Sequence, residues 1–258
     1  MPCLDPRQAD RAVAEAVRWL QAGQPVALPT ETVYGLAANA FDPAAVRAVF
    51  AAKGRPAHNP LIVHVASLEM ARACVAEWPE TAARLAGRFW PGPLTLVLPR
   101  SSRVPDIVTA GGPTVAIRWP AHPVMQAVIR ACGFPLAAPS ANRSSRLSPT
   151  CAAHVLRSLG GRIRLILDAG PCPVGIESTV LDLTARPPRI LRPGGVSREA
   201  IVACLGTDVL ASPPPPAAQP GPQRSPGLLS KHYAPETPVE LAAWTDPAGL
   251  RRRLDEAG

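Results

Sequence analysis

The sequence predicts an α/β fold: a twisted sheet of mixed parallel and antiparallel strands with flanking helices. Three observations predict it. Segments of helical period alternate with short apolar runs along most of the chain, the pattern of interleaved helices and strands. Prolines flank many of the apolar runs, which argues against a regular doubly wound sheet and for mixed strand directions. Hydrophobic residues make up 47% of the chain and charged residues 18%, enough for a buried core and too apolar for wholesale disorder.

The elements follow in order. Over residues 6–22, Ala9, Val13, Ala16, Val17 and Leu20 recur at helical spacing, with Asp5 suited to the N-cap, Pro6 to the first helical position and Gly23 to the stop. Residues 25–29 form a short apolar strand. Asp42-Pro43 opens a second helix through Val46, Val49 and Phe50, which ends at Gly54. A buried strand over 61–65 is followed by short helices near 68–76 and 79–88 and a strand over 94–98. Strands over 114–118 and 135–138 enclose a helix over 122–132. Ser148-Pro149-Thr150 starts another helix, with Ser148 as its N-cap. Strands over 164–167, 179–183 and 189–191 precede a helix over 197–205. Residues 206–227 are proline-rich, lack an apolar period and read as a linker of polyproline character. Beyond it, 238–243 fits a strand and 247–257 a helix, too little chain to bury a core of its own.

Composition narrows the function. The chain has 258 residues, room for one large domain or one domain with an appendage. It holds 33 Pro and 19 Gly without a G-X-Y repeat, which excludes collagen. The formal net charge of +8 favours anionic partners, a nucleotide, a nucleic acid or both. The six cysteines lie far apart, without C-x-x-C or metal-ligand spacing, and read as small hydrophobes in a reducing compartment. The N-terminal MPCLDPRQAD lacks the features of a signal peptide, and no apolar run approaches the roughly 20 residues of a membrane span. A cytoplasmic protein with no membrane partner is expected.

Scarce residue types point to short segments. Only Lys53 and Lys231 are lysines, only Tyr34 and Tyr233 are tyrosines, and only Asn39, Asn59 and Asn142 are asparagines. A chain this rich in Arg keeps Lys where a compact ammonium is needed. G-x-x-x-x-G-K-[ST], G-x-G-x-x-G, H-E-x-x-H and G-x-S-x-G are all absent, so phosphate contacts would have to come mostly from side chains. Five stretches remain. Pro29-Thr30-Glu31-Thr32-Val33-Tyr34-Gly35-Leu36 follows a strand, where α/β proteins place ligands, and reads either as a ligand loop or as a polar turn closed by Gly35. Lys53-Gly54-Arg55-Pro56 precedes Asn59-Pro60-Leu61-Ile62-Val63-His64-Val65. A solvated helix end explains the two cations, but not Asn59 or a histidine in an apolar strand. His64 is either a satisfied core residue or a ligand contact. Pro139-Ser140-Ala141-Asn142, Glu177-Ser178-Thr179-Val180 and Ile190-Leu191-Arg192-Pro193-Gly194 complete the set.

With FWPGPLT at 89–95, VAIRWP at 115–120 and SPGLLSKHYAP at 225–235, these stretches resemble the YrdC-like family of threonylcarbamoyl-AMP synthases over about residues 10–235, in its long form with a linker and an extra C-terminal domain. The resemblance implies a YrdC-like catalytic domain over 1–205, a linker or lid over 206–235, and the start of a shortened C-terminal domain over 236–258. It implies a nucleotidyltransferase that makes threonylcarbamoyl-AMP and pyrophosphate from L-threonine, bicarbonate and ATP. The product serves a downstream transferase complex that modifies tRNA next to the anticodon. Mg²⁺ is expected with ATP, without protein ligands and without a tightly bound organic cofactor.

The resemblance also implies residue roles. Lys53, Arg55, Ser140 and Asn142 form the catalytic signature. Thr32, His64, Arg118, Ala138 and Ser178 match L-threonine contacts, and Asn59, Thr114, Ser148, Arg192 and Tyr233 match ATP contacts beside Lys53, Arg55 and Ser140. A non-catalytic module binding tRNA or double-stranded RNA is an alternative that the charge favours and the 4% aromatic content disfavours. A carbamoyltransferase-type YrdC-like domain is another, disfavoured by the lack of paired cysteines and by the linker motif.

Overall fold

The structure, a computed structural model, describes residues 1–3, 5–206 and 246–257. Its elements run α1 (Pro6–Gln21), β1 (Val26–Leu28), β2 (Gly35–Asn39), α2 (Pro43–Lys53), β3 (Ile62–His64), α3 (Leu68–Cys74), α4 (Glu80–Phe89), β4 (Leu94–Pro99), α5 (Asp106–Thr109) and β5 (Thr114–Arg118). Then come α6 (Pro123–Cys132), β6 (Leu136–Ala137), α7 (Ala152–Leu159), β7 (Leu165–Ile166), β8 (Thr179–Asp182), β9 (Arg189–Arg192), α8 (Arg198–Leu205) and α9 (Pro247–Ala257). The expected linker, the strand over 238–243, Lys231 and Tyr233 lie outside the described residues.

Local chemistry sets the helix ends as expected. Asp5 accepts from the amides of Arg7 and Gln8, and Asp42 from that of Ala44, each with proline in the first turn. Gly54 ends α2 in the left-handed region at φ 60°, which turns the chain sharply between Lys53 and Arg55.

The strands of the described residues form one sheet in the order β7-β1-β2-β6-β3-β5-β4-β8-β9. The β1–β7, β3–β5 and β4–β8 pairs are parallel and the others antiparallel, so the mixed sheet is borne out.

One local expectation is corrected, and two elements add to the sequence reading. Gly35 does not close a turn but opens β2, a strand absent from the sequence reading. Its GLAAN sequence has little strand propensity, and pairing with β1 on one side and β6 on the other overrides that. Ser148 is not an N-cap. Helix α7 begins at Ala152, with Cys151 at the cap and no side-chain cap bond. The residues before it bridge loops instead: the Tyr34 amide donates to Pro149 O and the Cys172 amide to Thr150 O, both at 2.8 Å. Helix α5 is too short to have shown a period.

The two halves of the sheet are covered differently. Around β1 and β2, α1 and α6 cover one face through Ala16, Leu20, Met125 and Ile129, while α2 and α7 cover the other through Val49, Val155 and Leu159. Around β3, β5, β4 and β8, α3, α4 and α8 pack over one face against Val63, Leu94, Leu96, Ile117 and Leu181. Each fully buried leucine here contributes roughly 1.5–3 kcal/mol. Among the described residues, the opposite face carries only a small cluster of Ile62, Val97, Ala116, Val180 and Leu191, to which no helix contributes. That face is the floor of the site.

Gly194 follows β9 where two backbones nearly touch. A Cβ there would lie 2.3 Å from Glu177 O and 2.5 Å from Thr179 N. Gly194→Ala should therefore destabilise the protein by about 1–3 kcal/mol through overpacking. Urea unfolding checks this, and an unchanged midpoint would show that the strand ends yield without cost.

Candidate active site

The loop between β1 and β2 forms one wall. Thr30 Oγ1 donates to Val33 O at 2.6 Å and accepts from the amides of Thr32 and Val33, so a single hydroxyl closes the turn. This presents Glu31 and Thr32 toward the end of β5, where Arg118 is 3% exposed. Arg118 Nε donates to Gly92 O at 3.1 Å, Nη1 to Thr32 Oγ1 at 2.9 Å and Nη2 to Glu31 Oε1 at 2.6 Å. That leaves one N–H on each terminal nitrogen. Glu31 Oε2 has no hydrogen-bond partner among the described residues.

His64 is the register partner of Arg118 across the parallel β3–β5 pair. Burial, then the neighbouring Arg118 guanidinium, push its imidazole down to about 3, so it is neutral at pH 7. Its Nδ1 is buried without a hydrogen-bond partner among the described residues.

The other end of the floor is cationic. Arg192 donates from Nε and Nη2 to Ser178 O at 3.1 and 2.8 Å, and from Nη2 to Ser178 Oγ at 3.0 Å. Ser178 Oγ in turn shares a 2.8 Å hydrogen bond with Thr95 Oγ1. Glu177 Oε1 accepts from Ser148 Oγ at 2.7 Å, and its Oε2 lies 3.7 Å from Arg192 Nη2. Arg55 clamps the next loop through Asn59 O at 3.0 Å, Asn59 Oδ1 at 2.6 Å and Pro60 O at 2.7 Å. Lys53 is buried, and its Nζ donates to Ser140 O and Asn142 O. Burial and the nearby Arg55 charge hold its ammonium well below the usual lysine range.

These groups enclose a cleft of about 440 Å³, part of it open to solvent. Thr32, Arg55, His64, Arg118, Ala138, Ser140 and Arg192 all line it. Lys53, Asn59, Ser148 and Ser178 stand one step behind, each bonded to a lining residue. The Asn142 amide turns away, donating to Arg143 O at 3.0 Å and Arg146 O at 2.7 Å. Thr114 starts the strand that Arg118 ends. At about 3.3 Å per residue it lies roughly 13 Å away on the same face, the reach of an extended ligand. Tyr233 is outside the described residues. The sequence reading missed Glu31, Glu177 and Thr95. The two acids lay inside stretches already singled out, and their signal was a carboxylate in a loop entering or leaving a strand.

A family model described as Telomere recombination, covering Sua5, YciO and YrdC proteins, matches residues 18–194. The chain belongs to this family. Among its Sua5/YciO/YrdC relatives is a threonylcarbamoyl-AMP synthase of Pyrococcus abyssi, 49% identical over 241 residues, which cover 93% of this chain and 70% of the relative. One from Bacillus subtilis is 46% identical, covering 90% of this chain and 67% of its own. The crystal structure of P. abyssi Sua5 complexed with L-threonine superposes with a TM-score of 0.89 at 46% identity, covering 95% of this chain and 72% of that one. E. coli YciO, at 22% identity and a TM-score of 0.68, shares the fold.

The neutral His64 predicts an acid-sensitive fold. Its unfolded value is near 6.5 and its folded value about 3. Between these the unfolded chain binds a proton that the folded protein refuses, so stability falls as pH drops from 6.5 toward 3. Between pH 7 and pH 5 the wild type should lose roughly 2 kcal/mol more than His64→Gln. Urea titrations at the two pH values check this, and equal losses would place the histidine outside the linkage.

Proposed function

We propose that this protein makes threonylcarbamoyl-AMP from L-threonine, bicarbonate and ATP, releasing pyrophosphate, for modification of tRNA beside the anticodon. One observation carries the reading: a single cleft joins Arg118, with Thr32 and His64 beside it, to a cationic end at Arg55 and Arg192. The planar Arg118 fork suits a carboxylate. Thr32 and the neutral His64 flank it, and Arg55 and Arg192 suit phosphate oxygens. The P. abyssi complex with L-threonine supports the assignment, and this chain spans about 70% of that relative's length.

The chemistry follows from charge. The threonine ammonium and bicarbonate condense to a carbamate, releasing water and a proton to solvent. A carbamate oxygen then attacks the α-phosphorus, and pyrophosphate leaves. Nucleophile and phosphate are both anionic, so the barrier is electrostatic. Arg55 and Arg192 lower it by neutralising phosphate oxygens, and the rigid walls supply alignment. Mg²⁺ would arrive on ATP and screen further phosphate charge. No helix of the described residues is long and apolar enough to cross a membrane, and we place the protein in the cytoplasm. HypF, at 22% identity and a TM-score of 0.62, shares the fold alone.

Pyrophosphate release should require both L-threonine and bicarbonate, and equal release with threonine omitted would overturn the reading. Arg118→Ala should weaken threonine binding by about 2–5 kcal/mol, through loss of a charge-assisted pair in a desolvated site, and ATP binding far less. Calorimetric titration with each ligand separates the two.

A further inference from the structure

Glu31 has no role in the reaction described above, yet its carboxylate is bound to the residue that takes the amino acid. The pair is buried, with side-chain exposures of 3% for Arg118 and 10% for Glu31. The two ends of the cleft therefore differ in charge. At the amino-acid end, Arg118 carries +1, Glu31 carries −1 and His64 is neutral. Two further groups near Glu31 add no anion: burial depresses His122, and the Cys172 thiol is pushed up to about 11, chiefly by burial. At the other end, Arg55 and Arg192 line the cleft with Lys53 behind them, and Glu177 lies beside Arg192.

We propose that Glu31 is a specificity-determining residue that acts through Arg118, making the amino-acid end of the cleft accept a zwitterion and turn away plain anions. The proposal rests on the reading of this end as the L-threonine site. A ligand bearing only a carboxylate gains from Arg118 but meets the Glu31 charge bonded to the same guanidinium. Threonine brings its own ammonium, which offsets that repulsion. Both terms are large where water is excluded. The same balance leaves bicarbonate and the phosphates of ATP little reason to occupy the Arg118 end, and directs them to Arg55 and Arg192. Binding of ATP in the wrong direction is disfavoured without any steric block. Glu31 is a positioning residue in this account, because it touches Arg118 and not the substrate.

The test is calorimetric titration of the full chain with L-threonine and with 2,3-dihydroxybutanoate, which replaces the ammonium by a hydroxyl. Glu31→Gln keeps an amide oxygen for Arg118 to donate to and removes the charge. Its preference for threonine over dihydroxybutanoate should fall by about tenfold or more, mainly because the anion binds more tightly. Glu31→Asp keeps the charge and should keep the preference. If the glutamate only balanced a buried cation, Glu31→Gln would weaken both ligands together and leave their ratio unchanged. That result overturns the proposal. The wild type supplies a reading that needs no variant: dihydroxybutanoate binding as tightly as threonine also overturns it. Wild-type protein that binds neither ligand would overturn the threonine-site reading, and this proposal with it.

Discussion

The Arg118 guanidinium must stay charged with 3% of the residue exposed, and much of the surrounding structure answers to that requirement. Arginine does not escape by losing its proton. Removing its charge from water costs several kcal/mol, and a buried ion pair at best offsets this. So two separate stretches converge on one side chain: the turn at Gly92 supplies a carbonyl, and the loop between β1 and β2 supplies a hydroxyl and a carboxylate. β5 brings Arg118 to the meeting point, and the parallel pairing with β3 sets His64 beside it. An apolar residue would have been cheaper to bury here, which makes binding, and not stability, the reason for the arrangement.

The cationic end is built on a different device. There the arginines and the lysine are held mainly by backbone carbonyls of the loops around the cleft. Arg55 gathers Asn59 and Pro60, Arg192 gathers Ser178, and Lys53 gathers Ser140 and Asn142. Each cation thereby fixes a loop that would otherwise be free to vary, while keeping its charge close to the ligand space. Tyr34 does the same without charge: its hydroxyl donates to Gly170 O at 2.7 Å and accepts from the Ala169 amide. Loops pinned in this way need little rearrangement when a ligand arrives, and electrostatic stabilisation depends on such preorganisation.

The fold class, most helices with their caps, and the main strands were legible in the sequence, because caps and apolar periods are local signals. β2 was not legible, since Gly35 to Asn39 pair only because their neighbours in space require it. Ser148 was misread for a related reason. Ser-Pro-Thr is a sound cap on local grounds, but the carbonyls of Pro149 and Thr150 are already committed to Tyr34 and Cys172 in other loops. At the site, the cations stood out as scarce or isolated residues. Glu31 and Glu177 did not, because a carboxylate becomes informative only once its partner is known, and Arg118 lies 87 residues from Glu31.

The sheet face that no helix of the described residues covers explains how the protein tolerates such a site. The floor cluster of Ile62, Val97, Ala116, Val180 and Leu191 buries modest apolar area, and a helix laid over it would add to stability at roughly 25 cal/mol per Å². It would also displace every lining residue. Stability is instead concentrated in the other three clusters, on the reverse face of the same strands and on both faces of β1 and β2. Alternation along each strand makes this possible, since Val63 and Ile117 face the helices while His64 and Arg118 face the cleft. A one-residue slip of β3 against β5 would turn His64 into the apolar core and Val63 into the cleft. The hydrophobic face thus fixes the register, and the register places the catalytic face.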